Sequence, residues 1–586
     1  MPDTTVAAVP NQGETVTVSA YLATRLCQLD GHHVFGLPGD FSLSMLDEML
    51  TVPGVEWVGC TNELNAAYAA DAYARARRGV AAVLTTYGVG ELSAMNGVAG
   101  SYAEDVPVVL VSGMPPSRAR ADGLLLHHTL VDGDHDHFVR AYREVTAAGA
   151  VLRAATAVAE IDRMLLTAIN ECKPVYLGIP ADVAVARVPA ANLALPLRRS
   201  PSDPTSVQQF RDALTALLAQ HPSLTVLAGP RVHRRRLEGE LAALADLPGV
   251  RIATQAGAKA MLDEAHPASL GTYMGGMTRS EITRDAVDFA PLLVLAGTTL
   301  SDVLTGLFTH RFTPEDAVEL GFETARIGAS LFHGVRMEDA VRILHETAAE
   351  RDFAPLPPLP PLTRPEVAEG PASDALTQAQ LWAEIQQWMP DGVTAIADAG
   401  TALYGALGLQ MSHDSDLLAQ PIWSSIGYTL PATLGICLAR PESRSLLFIG
   451  DGAAQLTVQE LATILHRGHT PIIVLINNAG YTIERAIQSP KAVYQDITPW
   501  DWSALPSVLA PGVPSLTSTV RTRAELAEAL VEARECTDRL VLIEAVLDPS
   551  DAPEMLVELG RGAARANGAP SVPVEQAGRS TGDSSR

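Results

Sequence analysis

The chain is short of several things, and each shortage excludes a class of protein. It has five cysteines in 586 residues (Cys27, Cys60, Cys172, Cys437, Cys536), scattered, odd in number and never spaced as CxxC. That is no disulfide framework, and it fits a reducing, cytoplasmic setting. Basic residues are outnumbered, 42 Lys+Arg against 67 Asp+Glu, for a formal charge of −25. Such a balance keeps a protein soluble and argues against nucleic acid as partner, since nucleic acid selects basic faces. No run of about 18 uninterrupted apolar residues exists to span a membrane. The first fifteen residues hold acids and no apolar run, so they do not read as a secretory leader. GxxxxGK[ST] and HExxH are both missing, and no short repeat occurs.

What is present is organised in blocks. At roughly 150 residues per domain, the length suggests three or four domains. Residues 188–206 (VPAANLALPLRRSPSDPTS) read as a linker, as do residues 353–373, where six prolines fall between Pro355 and Pro365. The expected division is 16–190, 205–350 and 374–562, with polar, disordered tails at 1–15 and 563–586. Each block alternates short β-branched runs with helical patterns. Residues 80–87 (VAAVLTTY), 224–229 (LTVLAG) and 471–478 (PIIVLINN) are examples of the strands. Near-continuous apolar strands between helices predict an α/β protein of three doubly wound, mostly parallel sheets.

The sharpest signal lies in the third block, FIGDGAAQLTVQELATILHRGHTPIIVLINNAGYTIE. One strand ends in Gly450-Asp451-Gly452 and the next in Asn477-Asn478. Ligands of doubly wound sheets sit beyond the carboxyl ends of strands, so Asp451 and Asn478 can converge there. One carboxylate and one amide oxygen are hard, sparse ligands that suit Mg²⁺ completed by phosphate oxygens and water. Gly452 and Ala453 open a helix whose free N–H groups favour a phosphate. GDG alone is more often a plain strand-to-helix turn; the NN that follows reverses that balance. A second concentration is LLLHHTLVDGDHDHFVR at 124–140, with four histidines and three aspartates. Taken by itself it reads as a metal site, an acid–base pair or a solvated loop.

The GDG…NN pair, 27 residues from Asp451 to Asn478 (478 − 451), resembles the diphosphate-binding signature of thiamine diphosphate enzymes. VFGLPGDFSLSMLDEM, CTNELNAAYAADAYARARRG, TTYGVGELSAMNGVAGSYAEDVPVVLVSG, LHHTL, IADAGT, PIWSSIGYTLPA and NNAGYTIERAI resemble, in order, the pyruvate/indolepyruvate/branched-chain 2-oxo acid decarboxylases. The similarity covers about residues 16 to 560. It implies thiamine diphosphate and Mg²⁺ as cofactors, with Asp451, Asn478 and the Gly480 carbonyl as metal ligands. Gly450, Gly452 and Ala453 then belong to the diphosphate site. Glu63 matches the activating carboxylate that hydrogen-bonds the aminopyrimidine ring. Ile426 matches the large apolar residue that props the cofactor in a bent conformation, and Ser424 offers its carbonyl to the amino group. Many relatives have glycine where Ser424 stands; the contact survives unless the local dihedrals require glycine.

The resemblance also divides the histidines. His127 and His128 match an adjacent pair that lines the active site with Asp40 and Glu484, as acid–base and substrate-binding groups. Adjacent residues rarely ligate one metal together. His135 and His137, with Asp132, Asp134 and Asp136, read as a solvated loop, with a weak metal site as the alternative. The basic run 231–236 (RVHRRR) reads as a solvated face. No cysteine occurs in the middle block, which argues against cysteine-mediated activation.

The implied reaction is non-oxidative decarboxylation of a small-molecule 2-oxo acid to an aldehyde. Phe308, Ala399, Ala402, Leu403 and Ile483 would wall the substrate pocket, with the C-terminal helix near Met555 and Leu559. Ala399 and Leu403 replace larger family residues, so phenylpyruvate, indolepyruvate or 2-oxoisocaproate is expected ahead of pyruvate. The alternatives are a pyruvate decarboxylase or a thiamine-dependent carboligase. The family builds each active site between two subunits, which implies a homodimer or homotetramer.

Overall fold

Strands such as Ala81–Thr86 and Val108–Met114 are buried along their whole length. They are therefore stable only inside sheets covered on both faces. The computed structural model describes residues 14–362, 364–366, 374–412 and 414–566, and these build three such sheets. The first runs Glu56–Gly59, His33–Gly36, Ala81–Thr86, Val108–Met114, Val175–Pro180, Ala148–Val151, all parallel. The third runs Asp416–Leu418, Thr394–Ala397, Ser445–Gly450, Ile472–Asn477, Leu540–Val546, Ser515–Val520, again all parallel. In both, the chain lays down an inner strand, steps outward, then returns past it. The order reverses between His33–Gly36 and Ala81–Thr86 in one sheet, and between Thr394–Ala397 and Ser445–Gly450 in the other. The crevices at those reversals are where such sheets take ligands.

The middle sheet is mostly parallel, with an antiparallel edge. Five strands from Ser269–Thr272 to Val318–Leu320 are parallel, but Thr324–Ile327 and Ser330–His333 return antiparallel. Only Gly328 and Ala329 separate those last two strands, and a connection that short cannot make a parallel crossover. A further small pairing joins Thr15–Thr17 to Arg187–Pro189. Thr15 is thus in a strand rather than a disordered tail. The C-terminal helix Glu554–Ala566 likewise runs past the expected tail start at Ala563, because Leu556 and Leu559 bury one of its faces. Residues 1–13 and 567–586 lie outside the described residues, as do 363 and 367–373 of the proline-rich stretch.

The first and third blocks share one core. The alanine-rich helix Glu63–Arg77 packs on Thr429–Ala439. A Cβ on Gly435 would lie 2.1 Å from the Ala69 carbonyl, so only glycine permits this approach. Asp71, fully buried in the seam, accepts from Arg75 (2.6 Å), Tyr428 (2.6 Å) and Ser101 (2.8 Å).

The basic run 231–236 is not a solvated face. Arg231 pairs with Asp105 (2.8 Å), Arg235 donates to the Ile169 carbonyl (2.8 Å), and Arg236 pairs with Asp30 (3.2 Å). Ile169 lies near the C-terminus of the helix Ala157–Glu171, where carbonyls lack intrahelical partners and attract cations. The arginines therefore dock the middle block onto the first.

Candidate active site

The third sheet supplies a buried half-site. Asp451 begins the helix Asp451–Thr457 directly after the strand Ser445–Gly450, and Asn478 directly follows the neighbouring strand Ile472–Asn477. Because Gly450 pairs with Ile476, both residues emerge at one level. Both are buried. Asp451 Oδ1 accepts from the Gly452 N–H (2.8 Å), yet burial pushes its carboxyl up to about 6. Gly480 turns the chain with φ of +138°, and a Cβ there would meet the Gln495 carbonyl at 2.1 Å.

One end of the Asn478 amide lies 3.1 Å from Asp451 Oδ1 and 2.9 Å from the Gly480 carbonyl oxygen; the other end lies 2.9 Å from Thr482 Oγ1. Without a cation, the NH₂ best satisfies those two oxygens. With the amide oxygen turned toward them, it lies from each of the other two oxygens at a separation close to the edge of an octahedron around Mg²⁺, about 3.0 Å for ligands at 2.0–2.1 Å. The donor set and its spacing therefore fit Mg²⁺, with Asp451, Asn478 and Gly480 as protein ligands.

The loop bearing Ser424 and Ile426 faces the same crevice. Asp398, buried and pushed up to about 6 by desolvation, accepts from the N–H groups of Gly427 and Thr429 (both 3.2 Å) and from the Thr429 hydroxyl (2.6 Å). Glu104 accepts from the Ile422 and Trp423 N–H groups (2.8 and 3.1 Å), and Tyr68 OH lies 2.5 Å from Ser425 Oγ. Ile426 is half-buried. Ser424 has φ of +53°, the left-handed region that glycine enters freely and serine does not. The dihedral thus favours glycine; Ser424 Oγ offsets this by sharing its one proton between the Gln420 and Pro421 carbonyls (3.3 and 3.2 Å).

Glu63 is the first residue of the helix Glu63–Arg77, capped by Asn62, whose Oδ1 accepts from the Asn65 N–H (2.8 Å). A Cβ on Gly90 would lie 3.0 Å from Glu63 Oε1, so the helix Val89–Ala103 comes close to this carboxyl. The turn before it is held from across the domain seam. The buried Glu460 accepts from the Thr61 hydroxyl (2.7 Å), the Thr61 N–H (3.1 Å) and the Asn65 amide (3.0 Å).

The His pair is an exposed half-site. His127 Nε2 lies 2.9 Å from Asp40 Oδ2, and His128 Nε2 lies 4.0 Å from Asp40 Oδ1. Phe41 stacks on His127 with ring centres 5.0 Å apart. Their side chains are 59% exposed for His127 and 49% for Asp40. His128 has φ of +61°, and its carbonyl would lie 2.0 Å from a Cβ on Gly88, itself at φ +63°. The ligand atoms of all three residues fall within 4.8 Å of one another. Adjacency in sequence therefore does not keep the two histidines from facing one point. Glu484 is exposed on the helix Thr482–Ile487, and among the described residues no hydrogen bond joins it to Asp40 or the His pair.

The loop beyond is a set of surface ion pairs, His137–Asp132, Arg140–Asp134 and Arg120–Asp136, each at 2.7 Å. His135 differs from the expected solvated residue. It is buried beside Tyr87, with Nε2 3.0 Å from the Leu124 carbonyl, and its own carbonyl accepts from Tyr87 OH (2.6 Å).

Of the expected pocket wall, Ala402 and Leu403 are buried in one cluster with Met555 and Leu559. Ile483 packs half-buried against that cluster, and Ala399 is half-buried beside Asp398. Phe308 is exposed, with φ of +58°. Sequence reasoning did not single out Asp398, Glu104, Glu460 or Thr482. Asp398 carried a usable signal, since it ends a strand as Asp451 does; Glu460 carried none, because its partners lie about 400 residues away in the chain.

Three family models match the chain: the thiamine pyrophosphate enzyme N-terminal TPP binding domain at residues 16–137, the central domain at 211–342 and the C-terminal TPP binding domain at 398–545. An alpha-keto-acid decarboxylase of Mycolicibacterium paratuberculosis is 41% identical over 562 residues, 96% of this chain and 98% of that one. One from Mycobacterium tuberculosis is 42% identical over 546 residues, 93% of this chain and 96% of that one. The solved structure of the Rhodococcus jostii thiamine diphosphate-dependent 4-hydroxybenzoylformate decarboxylase shares the fold, with a TM-score of 0.73 at 20% identity, over 91% of this chain and 99% of that one. The shared cores, the crevices at the two sheet reversals and these matches agree: the chain belongs to the thiamine diphosphate-dependent alpha-keto-acid decarboxylase family.

Proposed function

We propose that this protein decarboxylates aromatic or branched-chain 2-oxo acids to aldehydes, using thiamine diphosphate and Mg²⁺. The observation that carries the reading is the oxygen cluster of Asp451, Asn478 and Gly480 at the reversal of the third sheet. These residues would hold Mg²⁺, and Gly450, Gly452 and Ala453 would leave room for the diphosphate. When bound, the cofactor supplies the electron sink that loss of CO₂ requires. Glu63 would hydrogen-bond the aminopyrimidine. Ile426 and the Ser424 carbonyl would contact it from a loop whose N–H groups bond to Asp398 and Glu104. Asp40, His127, His128 and Glu484 would bind the substrate carboxylate and move protons. Ala399 and Leu403 support a large substrate, because neither fills the crevice with a bulky ring.

The half-sites support an assembly with active sites between subunits, as homodimer or homotetramer. Asp40, His127 and Glu484 are exposed and His128 is half-buried, and among the described residues no hydrogen bond joins Glu484 to the other three. Val89, Leu92, Leu124 and Leu125 stand exposed near the His pair, as do Leu456 and Tyr494 in the third block. The three sheets support domains at 16–190, 205–350 and 374–562. Five free cysteines, and no helix long and apolar enough to cross a membrane among the described residues, support a cytoplasmic enzyme.

The test is aldehyde and CO₂ release from purified protein given phenylpyruvate, indolepyruvate, 2-oxoisocaproate or pyruvate. Aldehyde from a large acid, reduced about 10²–10⁴-fold by Glu63→Gln, is the expected result. No CO₂ from any of them with cofactor bound would sink the reading and turn attention to aldehyde ligation. Mixing inactive Glu63→Gln and Asp451→Ala subunits regains activity if sites form between chains.

A further inference from the structure

This inference rests on the cation reading above and concerns what turns the Asn478 amide the right way. Thr482 opens the helix Thr482–Ile487 and is buried. Its Oγ1 donates to the Pro549 carbonyl at 2.9 Å and lies 2.9 Å from the Asn478 amide. A hydroxyl has one proton, and a carbonyl can only accept. With that proton on Pro549, Thr482 has only lone pairs to offer Asn478. The amide then presents its NH₂ to Thr482, and its oxygen points at Asp451 Oδ1 and the Gly480 carbonyl. Three mutually facing oxygens are stable only with a cation between them. The opposite wiring sends the Thr482 proton to Asn478, strips Pro549 of that bond, and fills the cation position with the amide NH₂. The two wirings differ by the turn of one hydroxyl and one amide.

We propose that Thr482 is a positioning residue: by donating to Pro549 and accepting from Asn478, its hydroxyl holds the Asn478 amide oxygen toward Asp451 and Gly480, so that the cluster takes a divalent cation. Thr482 touches neither cation nor substrate.

The test titrates the full chain, with thiamine diphosphate present, against Mn²⁺, reading the free ion by electron paramagnetic resonance; no turnover is needed. Thr482→Val removes donor and acceptor at nearly constant volume. The expected result is a half-saturating Mn²⁺ concentration raised about 10–100-fold, the usual cost of losing an outer-shell partner. Thr482→Ser keeps the hydroxyl and binds as the natural chain does. Asn478→Asp offers a carboxylate with no donor face, so nothing remains for Thr482 to orient. In that background Thr482→Val costs less than about threefold, a coupling that a merely structural residue would not produce. Should Thr482→Val fail to fold, Thr482→Ala makes the same comparison. Unchanged Mn²⁺ binding in the Thr482 variant, or an equal loss in both backgrounds, overturns the proposal. Asp451→Ala separates the two claims: if it abolishes Mn²⁺ binding while Thr482→Val does not, only the positioning role falls; if it too leaves binding intact, the cation reading itself falls.

Discussion

The two halves of the site are built on opposite terms. Asp451 and Asn478 are buried and face partners within one chain, Gly452, Gly480, Thr482 and, through Thr482, Pro549. Around His127 and Asp40 the side chains are open to solvent, with His128 half-buried beside them, and the backbone is held in the left-handed region at His128 and Val131. Burial makes the first half selective for charge, because a desolvated carboxyl favours a cation or a proton. Exposure leaves the second half free to exchange protons and to meet another surface. Strain of this kind persists only where surrounding structure imposes it, and at His128 the carbonyl packs into the space that Gly88 leaves by lacking a side chain.

The sharpest way to break the comparison is to remove one group from each half. Asp451→Ala should abolish Mn²⁺ binding. His127→Ala should bind Mn²⁺ and cofactor as the natural chain does, yet lose about 10²–10⁴-fold in kcat. Equal loss of cofactor binding in both would mean that the halves do not divide the work.

A second test asks whether burial under the exposed half also stores charge. Glu91 lies beneath Gly88, whose N–H it accepts at 2.8 Å, and it accepts from Tyr176 OH at 2.9 Å. Burial pushes its carboxyl up from 4.5 to about 7. Because the folded value is the higher one, the protonated group favours the fold. That contribution is complete below about pH 4.5 and is lost as pH rises through about 7, an effect on the order of 3 kcal/mol. Glu91→Gln should therefore flatten the fall in melting temperature between pH 5 and pH 8. Parallel curves for variant and natural chain would refute the assignment.

The smallest expected effect links the two sheets. Glu460→Ala leaves the Thr61 and Asn65 donors unpaired, at a cost of about 1–3 kcal/mol. Hydrogen exchange should quicken at residues 61–65, beside Glu63, while the loop at 477–480 keeps its protection. Uniform quickening across both would show that Glu460 supports the whole core and not this turn.

Much of the fold was legible in local pattern. The buried strands and the GDG and NN positions follow from β-branched runs that end in small polar residues. The errors share a cause. The basic run 231–236 looked solvated because its acceptors, Asp105, Ile169 and Asp30, lie far away in sequence. His135 looked like its neighbours because nothing local marks it as the one that faces Tyr87.

By itself, the sequence determined the α/β class, the strand ends that carry Asp451 and Asn478, and the family, since each depends on residues a few positions apart or on motifs in fixed order. Only the tertiary structure decided how Glu460 holds the turn before Glu63, that the Asn478 amide lies between Thr482 and the oxygens of Asp451 and Gly480, and that His127 stands exposed. Those facts depend on hydrogen-bond partners and packing brought together from distant parts of the chain, and the closing of a core sets them, not the preference of any local segment.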